Sequence, residues 1–225
     1  MINKKSLLID YIPAVFAAVF IITFAVLKEQ TFIKTLPTLI TLVVQLLMVR
    51  ANRYAFLLGG LNSILYAYSA YTETLYFQMF SAIAVSMTIQ IYSYFSWKKN
   101  SSEKDPELRM LPNAKRVMIV LGVLALWIFF WKTLGEIAEL GEYVALDSLI
   151  FVIGIAATAL SAGRFVDSQY FSLVSSVLSL ILSIMIAVRR PSYTNYVIIS
   201  IYNVFRITEI MVEWSRRCKK CEIST

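Results

Sequence analysis

Apolar residues fill this chain in eight long runs, each closed by a short polar break. Runs able to cross about 30 Å of hydrocarbon at about 1.5 Å per residue fall at Leu8–Leu27, Phe32–Val49, Tyr54–Tyr71, Thr74–Trp97, Ala114–Trp131, Leu146–Ala162, Gln169–Val188 and Thr194–Trp214. The pattern predicts an all-α polytopic membrane helix bundle. Its connectors are short, so successive helices are expected to be antiparallel neighbours. Lys34 and Pro37 lie near the start of the second run, which is therefore expected to begin late. The first run has a basic flank, as a secretory signal does. Its apolar stretch is about 20 residues, and Lys28-Glu29-Gln30-Thr31 offers no small-residue cleavage site, so it is read as a retained helix.

The order of spans repeats. Spans two to four end in Trp97-Lys98-Lys99, and spans six to eight end in Trp214-Ser215-Arg216-Arg217. The two tryptophans are 117 residues apart, and the matching span starts are 114, 115 and 120 apart. Three helices alone would invert the second unit, and the single helix between the units restores its orientation. The expected architecture is a 3+1+3 core of parallel repeats plus one N-terminal helix. Its divisions are 1–31 for the N-terminal helix, 32–97 for the first unit, 98–134 for a loop and linker helix, 135–217 for the second unit and 218–225 for a tail. Parallel repeats are a transporter architecture, with the solute site near mid-membrane between the halves.

Composition agrees: 59% of residues are hydrophobic, 16% are charged, and mean hydropathy is +0.70, which leaves too little polar surface for a soluble domain. Charge then sets orientation. Of the 21 basic residues, fifteen fall on the side of the N-terminus: Lys4, Lys5, Arg50, Arg53, Lys98, Lys99, Lys104, Arg109, Lys115, Arg116, Arg164, Arg216, Arg217, Lys219 and Lys220. Lys28, Lys34, Lys132, Arg189 and Arg190 fall on the other, and Arg206 lies within a span. The positive-inside rule then makes both termini cytoplasmic in a multi-pass protein of the cell membrane. The net charge of +7 reads as a cytoplasmic rim beside the lipid bilayer, and no nucleic-acid partner is expected.

The chain has no histidine, so the commonest general base and nitrogen metal ligand are missing. Cys218 and Cys221 form a C-x-x-C in the tail, without the two further ligands a structural zinc requires. No catalytic residue, metal or cofactor is expected, and no nucleotide-binding loop is present through which ATP could drive transport. These absences argue against a membrane enzyme.

Polar groups within spans are costly and turn to the bundle interior or a cavity. The eighth span carries Asn195, Tyr202, Arg206, Glu209 and Glu213 within about a third of its circumference, with Asn203 on the flank. Arg206 has Glu209 three residues on, which fits either an ion pair fixing the helix or a solute or gating group. The fourth span aligns Ser86, Gln90, Ser93 and Trp97, with Tyr94 beside them; the third aligns Asn62 and Tyr66 after Gly59-Gly60. Ser172, Ser176, Ser179 and Ser183 line one face of the seventh span and read as a packing zipper. Asp147 opens the sixth, either as a carboxylate favoured by the helix dipole or as an entrance group. Amides with aromatics on shared faces suit a flat heterocycle, by stacking and by hydrogen bonds to its edge.

Several of these segments resemble the PnuC family of nicotinamide riboside and related vitamin transporters. They are Asn52-Arg53-Tyr54, Gly59-Gly60-Leu61-Asn62, Leu75-Tyr76, and Gln90 through Trp97 in the first unit. In the second they are Leu146-Asp147-Ser148 and Gly163-Arg164-Phe165-Val166-Asp167. The resemblance spans about residues 38–217 and implies the same 3+1+3 bundle, akin to the sugar-transporting SWEETs. It carries Asn62, Gln90, Tyr94 and Trp97 over as solute-binding residues, with Asp147 beside them. The residues themselves add Tyr66, Tyr202, Asn203 and Arg206. The family's W-x-x-W-x-x-x-N signature has no match at Gln169, Ser172 and Ser176. What the resemblance implies is a facilitated-diffusion carrier for a vitamin-like heterocycle, nicotinamide riboside first. Thiamine, riboflavin or another nucleoside is the same-family alternative, and a non-transporting membrane scaffold is the other class. Association into homo-oligomers is left open.

Overall fold

The computed structural model describes residues 4–27, 29, 32–72, 79, 81–99, 108–135, 143–189 and 194–223. Every element in it that is long enough to name is a helix: α1 (Lys4–Leu27), α2 (Phe32–Val49), α3 (Tyr54–Thr72), α4 (Ser81–Lys99), α5 (Asn113–Gly135), α6 (Val144–Ala162), α7 (Ser168–Arg189) and α8 (Thr194–Ile223). The reason is the solvent. Hydrocarbon offers no hydrogen bonds, so a crossing segment must satisfy its backbone internally, and a helix does this within one segment. Among the described residues, α5, α6 and α7 are long and apolar enough by length and composition to cross a membrane, and shorter apolar stretches run through Tyr11–Leu27 and Thr35–Val49.

Two expectations change in detail. The second helix begins at Phe32, ahead of Pro37 rather than after it. The fourth is not one regular α-helix: Ser81–Met87 is wound as a π-helix before Thr88–Lys99 continues as α-helix. The i→i+5 bonding of that first part takes an extra residue per turn. Ideal α-helical spacing therefore does not carry through it, and the alignment of Ser86 with Gln90, Ser93 and Trp97 holds only for the last three.

Six helices form a ring. Contacts run α2–α3–α4–α6–α7–α8, and α8 returns to α2. Each unit thus meets the other twice, its first helix touching the other's last. The linker α5 lies against α6, and α1 packs across the α2–α8 junction. Ala14, Ala17 and Ile21 of α1 bury against Leu42, Ile199 and Tyr202, the alanines permitting close approach.

The duplication is visible bond by bond. At the end of α2, Ala51 N–H donates to Met48 O (2.9 Å) and Asn52 N–H to Leu47 O (3.0 Å). At the end of α6, Arg164 N–H donates to Ser161 O (3.0 Å) and Phe165 N–H to Leu160 O (3.0 Å), the same pattern 113 residues on. Both are Schellman endings, whose C′ residue takes the left-handed conformation. Ala51 has φ 51° and Arg164 has φ 63°. In each ending one of these carbonyls, already bonded within the turn, accepts a second hydrogen bond from a tryptophan of the opposite unit. Trp97 Nε1 donates to Ser161 O at 2.9 Å, and Trp214 Nε1 to Met48 O at 3.1 Å. The two indoles meet each other at 5.5 Å between ring centroids. The C-terminal ends of α2, α4, α6 and α8 therefore gather at one end of the bundle, as parallel repeats require. They share an apolar cluster of Val49, Phe56, Trp97, Val166, Ile210 and Trp214. Arg50, Arg53, Lys98, Lys99, Arg164 and Arg216 flank it in sequence, so it is called the basic end below.

Candidate functional site

Amide side chains occupy three successive seams of the ring near mid-helix. Between α8 and α2, Gln45 Nε2 donates to Asn203 Oδ1 at 3.5 Å. Between α2 and α3, Asn62 Nδ2 donates to Thr41 Oγ1 at 3.0 Å. Between α3 and α4, Gln90 lays its amide over the backbone of Gly59. A Cβ at residue 59 would overlap Gln90 Oε1 and stand 2.7 Å from Nε2. The absent side chain of Gly59 leaves the space that the amide occupies. Gly60, beside it, has ordinary contacts only.

Asn62 makes one bond through its amide, and the other end is buried without a hydrogen-bond partner. A buried polar atom left unmet costs about 1–3 kcal/mol. Such atoms in native folds are commonly met by water or a ligand. The corresponding place in the second unit lacks this chemistry. Residues 41 and 62 shifted by 113 are Gly154 and Ser175, and the structure does bring these together: a Cβ on Gly154 would lie 4.0 Å from Ser175 Oγ. Ser175 Oγ donates instead to Ile150 O at 3.4 Å. One wall of the ring therefore offers amides and the other offers small groups.

The expected site residues separate into three groups. Asn62, Gln90 and Asn203 fall in adjacent seams as described. Tyr202 and Arg206 are directed elsewhere. The Tyr202 ring packs beneath α1, and its hydroxyl donates to Leu42 O at 3.4 Å. Arg206 is fully buried. Its Nε donates to Tyr202 Oη at 3.0 Å, and one terminal nitrogen pairs with Glu209 Oε2 at 2.5 Å. Both partners of Arg206 lie on α8 itself, as in the ion-pair reading, and the bond to α2 comes from Tyr202. Trp97 and Tyr94 belong to the basic end. Trp97 is 1% exposed, with Phe56 at 4.9 Å between centroids, and Tyr94 packs against the same cluster.

Tyr66 remains 37% exposed on α3, and Asp147 lies in the first turn of α6, the opposite end of that helix from Ser161. Glu213 pairs with Arg217 Nε at 2.9 Å. Of the serine stripe on α7, Ser183 meets α8, its hydroxyl standing 3.3 Å from that of Ser200. Leu75, Tyr76 and Gln78 and the side chains of Asn195 and Cys221 lie outside the described residues.

Sequence reasoning passed over Thr41 and Gln45. The signal was present: Thr38, Thr41 and Gln45 recur at helical spacing in an otherwise apolar run. Asp167 was also assigned no role of its own. It is buried, and Arg116 Nε lies 2.6 Å from its carboxylate.

A ring of two parallel three-helix units, joined by a linker helix and lined near its middle by neutral amides, defines the class: a membrane transporter. The particular family follows from comparison. Residues 31–216 match the family described as the nicotinamide mononucleotide transporter, and the chain belongs to it. No curated protein matches the chain. Among solved structures it is similar to one titled "Crystal structure of the Vitamin B3 transporter PnuC", with a TM-score of 0.79 at 15% sequence identity over 94% of this chain and 92% of that one. At that identity the likeness concerns the fold.

Proposed function

We propose that this protein carries a vitamin B3-type nucleoside, nicotinamide riboside first, across the cell membrane by facilitated diffusion, without covalent change to the solute. The observation that carries the reading is the half-met amide of Asn62, whose nitrogen bonds the Thr41 hydroxyl while its oxygen is buried without a partner, on the helix whose Gly59 receives the Gln90 amide. A solute carboxamide or heterocycle edge could complete it. The family description and the similar structure's title both name vitamin B3 compounds. Nucleoside is preferred to nucleotide on charge. The seam groups are neutral amides and hydroxyls, whereas the one arginine within a span has its guanidinium engaged by Glu209 and Tyr202. A phosphate dianion brought to mid-membrane would need cationic partners.

In this reading Asn62, Gln90 and Asn203 bind the polar edge of the solute, and the Gly154–Ser175 wall leaves room for its bulk. Tyr94 and Trp97 act at the basic end instead of stacking on the solute. Tyr66 and Asp147 serve entry at best. Rocking of the units about the ring exposes the site to each side in turn, and phosphorylation inside the cell would trap the product. The basic end faces the cytoplasm, with both termini there.

Proteoliposomes loaded with the purified protein test this. Uptake of labelled nicotinamide riboside should exceed that of nicotinamide mononucleotide, thiamine, riboflavin and adenosine. It should fall about tenfold or more in Gln90→Ala, as loss of one hydrogen bond to a buried polar solute predicts. Uptake of none of the five would sink the reading, and preference for thiamine or riboflavin would move it to the same-family alternative.

A further inference from the structure

The two units share one fold at the basic end, but only one of them carries a strap. Residues 108–112, which lead into α5, lie along the α6–α7 turn. Arg109 N–H donates to Arg164 O at 3.0 Å, and Val166 N–H donates to Arg109 O at 2.9 Å. Asp167 fastens the pairing. One carboxylate oxygen accepts Leu111 N–H at 2.8 Å, and the other lies 2.6 Å from Arg116 Nε. The matching position in the first unit, 113 residues earlier, is the exposed Tyr54. Among the described residues, no segment pairs its backbone with that α2–α3 turn.

What the strap covers is the seam between the units. Leu108 is buried in the same cluster as Trp97 and Trp214, and Cys218 of α8 directs its Sγ to Leu108 O at 3.6 Å. A solute crossing toward the basic end must pass this seam. There the indoles are 1% and 0% exposed and hold carbonyls of opposite units. Apart from the apolar packing of Leu108, the described fastenings of the strap are to the second unit or to α5.

We propose that residues 108–112 form a lid over the Trp97–Trp214 seam, latched by Asp167, whose release opens the basic end of the ring. The proposal rests on the transport reading above. Physically, the latch concentrates two charge-assisted contacts on one buried carboxylate, so its loss leaves the strap held by the two Arg109 backbone bonds and the contacts of Leu108, and lets it open more often while the helices stay packed.

Cys218 reports on the lid. In a Cys221→Ser background, with the full chain in proteoliposomes, Cys218 should react slowly with a maleimide. Asp167→Ala should speed that reaction about tenfold or more, the factor that loss of a charge-assisted hydrogen bond confers on an opening equilibrium. Arg116→Gln, on a side chain 40% exposed, should speed it by a smaller factor. It serves as the test variant if Asp167→Ala does not fold, as judged by helical circular dichroism. Both variants should also change the rate of nicotinamide riboside uptake at least about twofold if the lid gates passage. Unchanged Cys218 reactivity in a folded variant overturns the lid. So does faster reactivity with uptake equal to that of the parent, which would make the strap a passive cover. Faster reactivity together with no uptake of any solute by the parent supports the opening and overturns the transport reading instead.

Discussion

Gly59 and Gln90 show how closely single residues are matched in the seams. A methyl group at residue 59 would occupy the space of the Gln90 amide, so Gly59→Ala must push that amide aside. Nicotinamide riboside uptake is expected to fall about tenfold or more in Gly59→Ala. Gly60→Ala, whose added atom would meet only ordinary contacts, should keep most of it. Equal effects from the two would remove Gln90 from the site. Arg206 makes a different prediction. Glu209 is 30% exposed while Arg206 is 1% exposed, so Glu209→Gln leaves a buried guanidinium with its charge poorly matched. The loss should be about 1.5–3 kcal/mol of stability, read as a lower thermal midpoint in detergent. The double change Arg206→Met with Glu209→Leu should recover much of it, since replacing both partners with apolar groups is often neutral. A double variant as unstable as Glu209→Gln would mean that the pair does more than neutralise a buried charge.

Among the helices, the pair of tryptophans is the testable unit. Each adds a second hydrogen bond to a carbonyl of a Schellman ending, and each does so across the junction between units. Trp97→Phe and Trp214→Phe should each cost about 1 kcal/mol for the lost hydrogen bond. Because the rings also touch at 5.5 Å, the double variant should show a coupling of about 0.5–1.5 kcal/mol. Strict additivity in thermal or denaturant unfolding would argue that the two contacts are independent. The same helix ends explain two non-glycine residues with positive φ, Ala51 and Arg164, since the C′ position of this motif demands that conformation whatever the side chain.

For the molecule as a whole, the eight helices of the described residues, four of whose C-terminal ends gather at one side, place the start of α1 and the end of α8 on that side. Reporter fusions at the N- and C-terminus should therefore agree, and the proposed orientation makes both cytoplasmic. A reporter fused after Leu27 should give the opposite result. An external signal from either terminus would reverse the orientation or remove a helix. The ring also explains the division of labour between the units. One lines its seams with Thr41, Gln45, Asn62 and Gln90, while the other has Gly154 and Ser175 where the first has Thr41 and Asn62. The duplication preserves backbone and end-to-end clasps, and the side chains in the seams are free to differ because no backbone bond depends on them.

What the sequence determined by itself follows from solvent and period. Long apolar runs must be helices in hydrocarbon, basic residues mark one side, and Trp-basic endings recurring after 117 residues announce two units. Among the candidate residues, Asn62, Gln90 and Asn203 stand out in the sequence because a polar amide at mid-span has few reasons to be there. The helix-period pattern shows which residues share a face of one helix. It does not show which helix lies opposite. Only the tertiary structure decided that Trp97 serves the seam, that Tyr202 turns beneath α1, that Gln45 and Thr41 join the amides, and that Asp167 holds a strap 56 residues away in sequence. Those outcomes depend on contacts between distant segments. Such contacts are set by how six helices close into a ring, and no local spacing encodes that closure.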